Sequence, residues 1–134
     1  MRLELDLAGD IVEQQDLLNG TRSVTLAGRS GDGAWSFEGA LSWSSGLAEY
    51  VGEGDITMIR NDGSELFGTA TAVRQEDVPE GESAELALRA DYELDGGSGA
   101  FEFGSGRCTA RIRLGMGGFE GGWCLELDVS ERHI

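Results

Sequence analysis

Apolar and polar residues alternate one by one along most of this chain, and glycine-centred turns interrupt the alternation at fairly even intervals. That pattern puts every second side chain on the same side, which is the geometry of a β-strand with one buried face. Leu3, Leu5 and Leu7 alternate with Arg2, Glu4 and Asp6. Trp35, Phe37, Leu41 and Trp43 share a face opposite Ser36, Glu38 and Ser42. Leu86, Leu88, Ala90, Tyr92 and Leu94 oppose Glu85, Arg89, Asp91 and Glu93. Phe119, Trp123, Leu125, Leu127 and Val129 oppose Glu120, Glu126 and Asp128. The turns fall at Asn19-Gly20, Ser30–Gly33, Ser44–Gly46, Asp62-Gly63, Pro79–Gly81, Asp95–Gly97 and Gly115–Gly118.

Strands joined in sequence by short turns imply an up-and-down antiparallel order. One apolar face per strand implies a single shared interior. The expected fold is therefore all-β: one antiparallel, eight-stranded up-and-down barrel with an apolar lumen, spanning residues 1–134 as a single domain. Closure removes the exposed strand edges, and a two-sheet sandwich is the rival. A length of 134 residues is ample for one core. Residues 11–18 are expected to be helical, with Asp10 as N-cap, Glu13 completing a capping box and Asn19-Gly20 ending the helix.

Two hairpins can be read in register. Pairing Leu114 with Phe119 sets Ile112 against Gly121, Ala110 against Trp123 and Cys108 against Leu125 on the buried face. Arg113 then meets Glu120, and Arg107 meets Glu126, on the other face. Cys108 points inward and Cys124 outward in this register, which predicts two free thiols. In the middle hairpin, a two-residue Asp62-Gly63 turn pairs Arg60 with Glu65 and Met58 with Phe67, leaving Ile59 and Leu66 on the opposite face. Apolar residues on both faces here suggest either a loose register or a surface covered by another subunit.

Charge narrows the partners. There are 25 acidic residues against 10 basic ones, all arginine, for a net charge of −15. Such a field repels phosphate backbones and anionic lipid, so neither nucleic acid nor membrane is an expected partner. Surplus surface carboxylate more simply aids solubility. The first residues lack a signal-peptide core and no run reaches membrane-spanning length, so a cytoplasmic location is expected.

Chemical signatures are sparse. The single histidine, His133, sits one residue from the end of the chain, a poor place to fix an imidazole. Neither a zinc-type cysteine pair nor a nucleotide-binding glycine loop occurs, and no metal or cofactor is expected. Asp91, Glu93, Asp95, Gly96 and Glu102 match calcium-loop spacing, but residues before Asp91 alternate as a strand and no helix pattern flanks them. What stands out instead is aromatic and apolar material on the inward face. Phe37, Met58, Phe67, Phe101 and Trp123 are the candidate lining of a substrate cavity, and Tyr50, Tyr92 and Trp35 the candidate polar or catalytic contacts. The small residues Gly39, Ala90, Ala110 and Gly121 would leave room. The plainer reading makes the same side chains ordinary core.

The segments VGEGDITM (51–58), NDGSELFGT (61–69), YELDGGSGAF (92–101) with Gly104, and FEGGW (119–123) together resemble the allene oxide cyclase-like barrel group. The resemblance covers roughly residues 51–127; the first 50 residues share only the strand pattern. It implies an eight-stranded barrel with an apolar lumen, often dimeric or trimeric. It also implies cofactor-free cyclase or isomerase chemistry on a hydrophobic small molecule, with polyketide-like polyenes and intramolecular [4+2] cycloaddition among its relatives. No catalytic residue transfers with it. A non-catalytic carrier using the same cavity, and a filled barrel serving as a structural or interaction module, are the alternatives.

Overall fold

A computed structural model describes residues 2–16, 20–44, 52–102, 104–115 and 118–129. The described residues form eight strands: β1 Arg2–Asp16, β2 Thr21–Ser30, β3 Trp35–Ser44, β4 Glu53–Arg60, β5 Glu65–Glu76, β6 Leu86–Gly97, β7 Gly104–Gly115 and β8 Gly118–Val129. Each pairs antiparallel with its sequence neighbour, and β1 pairs with β8, which closes the barrel. The sandwich alternative is thereby excluded. No helix among the described residues is long and apolar enough to cross a membrane.

The β7–β8 ladder has the register read from the sequence. Leu114 faces Phe119, Ala110 faces Trp123, Cys108 faces Leu125, Arg113 faces Glu120 and Arg107 faces Glu126. Both cysteines are free, Cys108 buried and Cys124 half-buried.

Two expectations are corrected. Residues 11–16 are not helical: β1 runs on to Asp16, and Gln14 pairs with Val24 and Asp16 with Arg22 of β2. A bulge between Ile11 and Glu13 sets Val12 outside the ladder, 64% exposed. The extra residue breaks the period-two pattern, which is why the segment did not read as a strand. Leu17, Leu18 and Asn19 lie outside the described residues.

The middle hairpin turns on three residues rather than two. The Arg60 N–H donates to the Ser64 carbonyl at 2.9 Å, and the Gly63 N–H to the Arg60 carbonyl at 2.9 Å. Gly63 has φ +85, a left-handed conformation that glycine adopts without steric penalty. The extra loop residue shifts the register by one, so Met58 pairs with Leu66 and Thr57 with Phe67. A one-residue shift flips a strand's side chains to the other face. Leu66 is therefore buried, whereas Phe67 and Ile59 are 40% and 39% exposed on the outer wall. Phe67 lines no interior cavity.

One end of the barrel is closed by a 3-10 turn, Gly99–Phe101. The Ala100 N–H donates to the Ser64 hydroxyl at 3.1 Å, and the Ser98 N–H to the Glu65 carbonyl at 2.9 Å. These bonds tie the turn to the middle hairpin and drive Phe101 inward, where its ring packs on Trp35 with centroids 5.7 Å apart. The Arg60 guanidinium lies 5.0 Å from the Phe101 ring centre, and its own charge is anchored by Asp62.

Candidate functional site

The inward side chains sort into levels along the barrel. Trp35 and Phe101 occupy the closed end. Above them Phe37 on β3 meets Phe119 and Trp123 on β8, with centroids 5.9 and 5.0 Å apart, and Phe119 stands edge-on to Trp123 at 6.2 Å. Met58, fully buried, pairs with Phe37 in the β3–β4 ladder. Trp43 lies toward the other end. Its indole N–H donates to Gln75 at 3.4 Å, and the Arg22 guanidinium stands 5.9 Å from its ring centre. Gln75 carried no signal in the sequence, because the second β5 bulge, between Ala70 and Ala72, decides which way it points.

The glycines expected to leave room are already covered by rings. A Cβ on Gly39 would lie 2.9 Å from the Phe37 ring and one on Gly121 2.9 Å from Trp123; Gly28, not among those expected, is covered in the same way, 2.8 Å from Phe119. Flat rings over bare backbone give close packing without strain.

Two polar groups stand out within this apolar interior. Tyr92 on β6 and Trp123 on β8 are 2% and 1% exposed, and neither the Tyr92 hydroxyl nor the Trp123 indole nitrogen completes a hydrogen bond among the described residues. The indole N–H faces the phenol oxygen closely enough to favour its ionised form, but falls short of hydrogen-bonding geometry. Burial dominates and holds the Tyr92 pKa well above its ordinary range, with Cys108 and Asp55 adding to the shift, so the phenol keeps its proton. Cys108 stands opposite Tyr92 in the β6–β7 ladder. Burial, then Cys124 and Asp91, push its thiol up to about 12. On the β7 side the ladder neighbours of Trp123 are small, Ala110 opposite it and then Ala90, whereas Leu5 stands opposite it on β1.

Of the eight residues singled out from the sequence, Phe37, Met58, Tyr92 and Trp123 lie in the middle of the barrel, and Trp35 and Phe101 form the closed end. Phe67 faces outward, and Tyr50 lies outside the described residues. Among the described residues no three histidine, cysteine, aspartate or glutamate side chains converge to hold a metal. Asp91, Glu93 and Asp95 follow one another along the outer face of extended β6, so they do not curl around one ion. Two of them take neighbouring hydroxyls instead, Asp95 from Thr69 and Asp91 from Thr109.

No family model, curated protein or solved structure matches the chain.

Proposed function

We propose that the barrel binds one apolar small molecule in its interior and acts on it as a cofactor-independent cyclase or isomerase. The observation that carries this reading is the pair of buried donors, Tyr92 and Trp123, which face each other in an otherwise apolar core and complete no hydrogen bond among the described residues. A buried polar group with no partner costs about 1–3 kcal/mol, and a barrel selected only for stability would have no use for two of them. A ligand oxygen reaching both donors would recover that energy. The same donors would draw electron density from a carbonyl that activates a polyene. The surrounding rings would hold the chain near its closing geometry, and ring closure of that kind needs no nucleophile. The resemblance to the allene oxide cyclase-like group supports the reaction class. Free thiols at Cys108 and Cys124 support a reducing, cytoplasmic setting, and the outward pair Ile59 and Phe67 supports assembly as a homodimer or homotrimer.

The interlocked rings of Phe37, Phe119 and Trp123 favour a second reading, a filled barrel that serves as an interaction module. Titration with an apolar fluorescent ketone separates the two. Saturable quenching of tryptophan emission is expected if the interior admits a ligand, and unchanged emission at saturating probe overturns the proposal. Incubation with a linear polyene ketone then tests catalysis. Recovery of unaltered substrate at every protein concentration, with binding intact, reduces the protein to a carrier.

A further inference from the structure

The outer wall carries a second feature, independent of the interior. Arg74 on β5 lies directly opposite Arg89 on β6, and Arg89 lies directly opposite Arg111 on β7. Three of the ten basic residues of a chain with net charge −15 thus stand side by side in one row. Like charges placed directly across a ladder destabilise it, and neighbouring strands lie about 4.8 Å apart, so the row spans about 10 Å.

Local carboxylates do not neutralise it. Arg113, just beyond the row, is held by Glu82 at 3.0 Å and Glu120 at 3.4 Å. Within the row, among the described residues, only Arg89 has a carboxylate at ion-pair distance, Asp91 at 3.7 Å, and that carboxylate also accepts from Thr109. Among the described residues Arg74 and Arg111 form no ion pair, and the buried Nε of Arg89 has no hydrogen-bond partner. Beyond Arg111 the ladder passes through Gly122, which has no side chain, to Asp6 on β1, whose carboxylate oxygen stands 3.7 Å from where a Cβ on Gly122 would be. A depression of about 330 Å³ opens there, its lining including Arg111, Thr109, Gly122 and Cys124 from one side and Glu4 and Asp6 of β1 from the other.

We infer that Arg74, Arg89 and Arg111 form a binding site for one compact phosphoryl group, carried by a soluble organic phosphate. Guanidinium forks match the oxygens of a phosphoryl group in bidentate fashion, and a doubly charged oxyanion removes the repulsion within the row. The negative field of the rest of the chain opposes an extended anionic surface far more than one small anion, which selects a soluble ligand over a membrane. The organic part of the ligand extends into the depression beside Gly122.

The test is calorimetric titration of the full chain with pyrophosphate, at ionic strength matched with chloride. Saturable binding at one site is expected. Arg89→Gln and Arg111→Gln each weaken it about tenfold or more, the loss of a charge-assisted hydrogen bond. Arg22→Gln, on a distant part of the wall, leaves it unchanged. In phosphate-free, low-salt buffer Arg89→Gln melts no lower than the wild type, and pyrophosphate raises the melting temperature of the wild type only. Absence of saturable binding overturns the inference. So does equal weakening by Arg22→Gln, or preferential capture on phosphatidylglycerol vesicles over pyrophosphate.

Discussion

The rings of Phe37 on β3 and Trp123 on β8 meet inside the barrel with centroids 5.0 Å apart and planes tilted by 54°. Two strands, β1 and β2, separate β3 from β8 around the wall, so this contact spans the interior rather than following a ladder. It makes Trp123 both a keystone of the core and one of the two donors proposed to face a ligand. Trp123→Ala is expected to destabilise the fold by about 3–5 kcal/mol in denaturant titrations. The truncated chain should regain part of its melting temperature on addition of indole, which refills the space left by the ring. Loss of stability without any rescue indicates that the walls collapse instead.

Tyr92→Phe separates stability from binding. The hydroxyl has no partner among the described residues, so its removal should leave stability within about 1 kcal/mol of the wild type, or raise it. The same substitution should weaken an apolar ketone more than the matching hydrocarbon. Equal effects on both ligands remove Tyr92 from the site.

Thiol reactivity follows from burial. Cys124 is half-buried and should react with a disulfide reagent in the native protein, whereas Cys108 should react only on unfolding. The folded-state pKa of Cys108 rises from its ordinary 9.0 to about 12. Below pH 9.0 the thiol is protonated whether or not the chain is folded, and its contribution to stability is complete. Between 9.0 and about 12 only the unfolded chain ionises there, so stability falls as pH rises through that window. Cys108→Ala should flatten this part of the alkaline profile; an unaltered slope contradicts the assignment.

The Met58–Leu66 pairing separates the inner wall from the outer one. Met58→Ala should cost about 2–5 kcal/mol, and Phe67→Ser should stay within about 0.5 kcal/mol of wild type in the isolated chain. If Ile59 and Phe67 form the contact between subunits, Phe67→Ser should also lower the sedimentation coefficient to that of a monomer. A large loss of stability in a monomeric Phe67→Ser chain indicates the other register.

Gly28 is held bare by its neighbours. An added Cβ would press into the Ala8 carbonyl and stand 2.8 Å from the Phe119 ring. Gly28→Ala should destabilise the barrel by about 1–3 kcal/mol, the range for overpacking. Gly31→Ala, where an added Cβ meets nothing within 4 Å, is the control and should melt near the wild type.

The alternation of side chains by itself determined that this chain forms antiparallel strands with one buried face; the pairing of β1 with β8, seen only in the tertiary structure, made them a barrel and not a sandwich. The alternation also determined which residues of β3, β6, β7 and β8 face inward, because a strand has a strict period of two and only one face can be buried. The register of the last hairpin followed from the same rule, since only one pairing puts apolar against apolar and arginine against glutamate on opposite faces. What the sequence left open turned on single inserted residues. The bulge at Val12 hid the end of β1, and the third loop residue before Ser64 sent Phe67 outward, because each insertion reverses the faces of the strand segment that follows it. Only the tertiary structure decided the contact of Phe37 with Trp123, the Tyr92 hydroxyl without a partner among the described residues and the row of Arg74, Arg89 and Arg111. Those depend on how far each strand is staggered against the next as the sheet closes, and local alternation carries no record of that stagger.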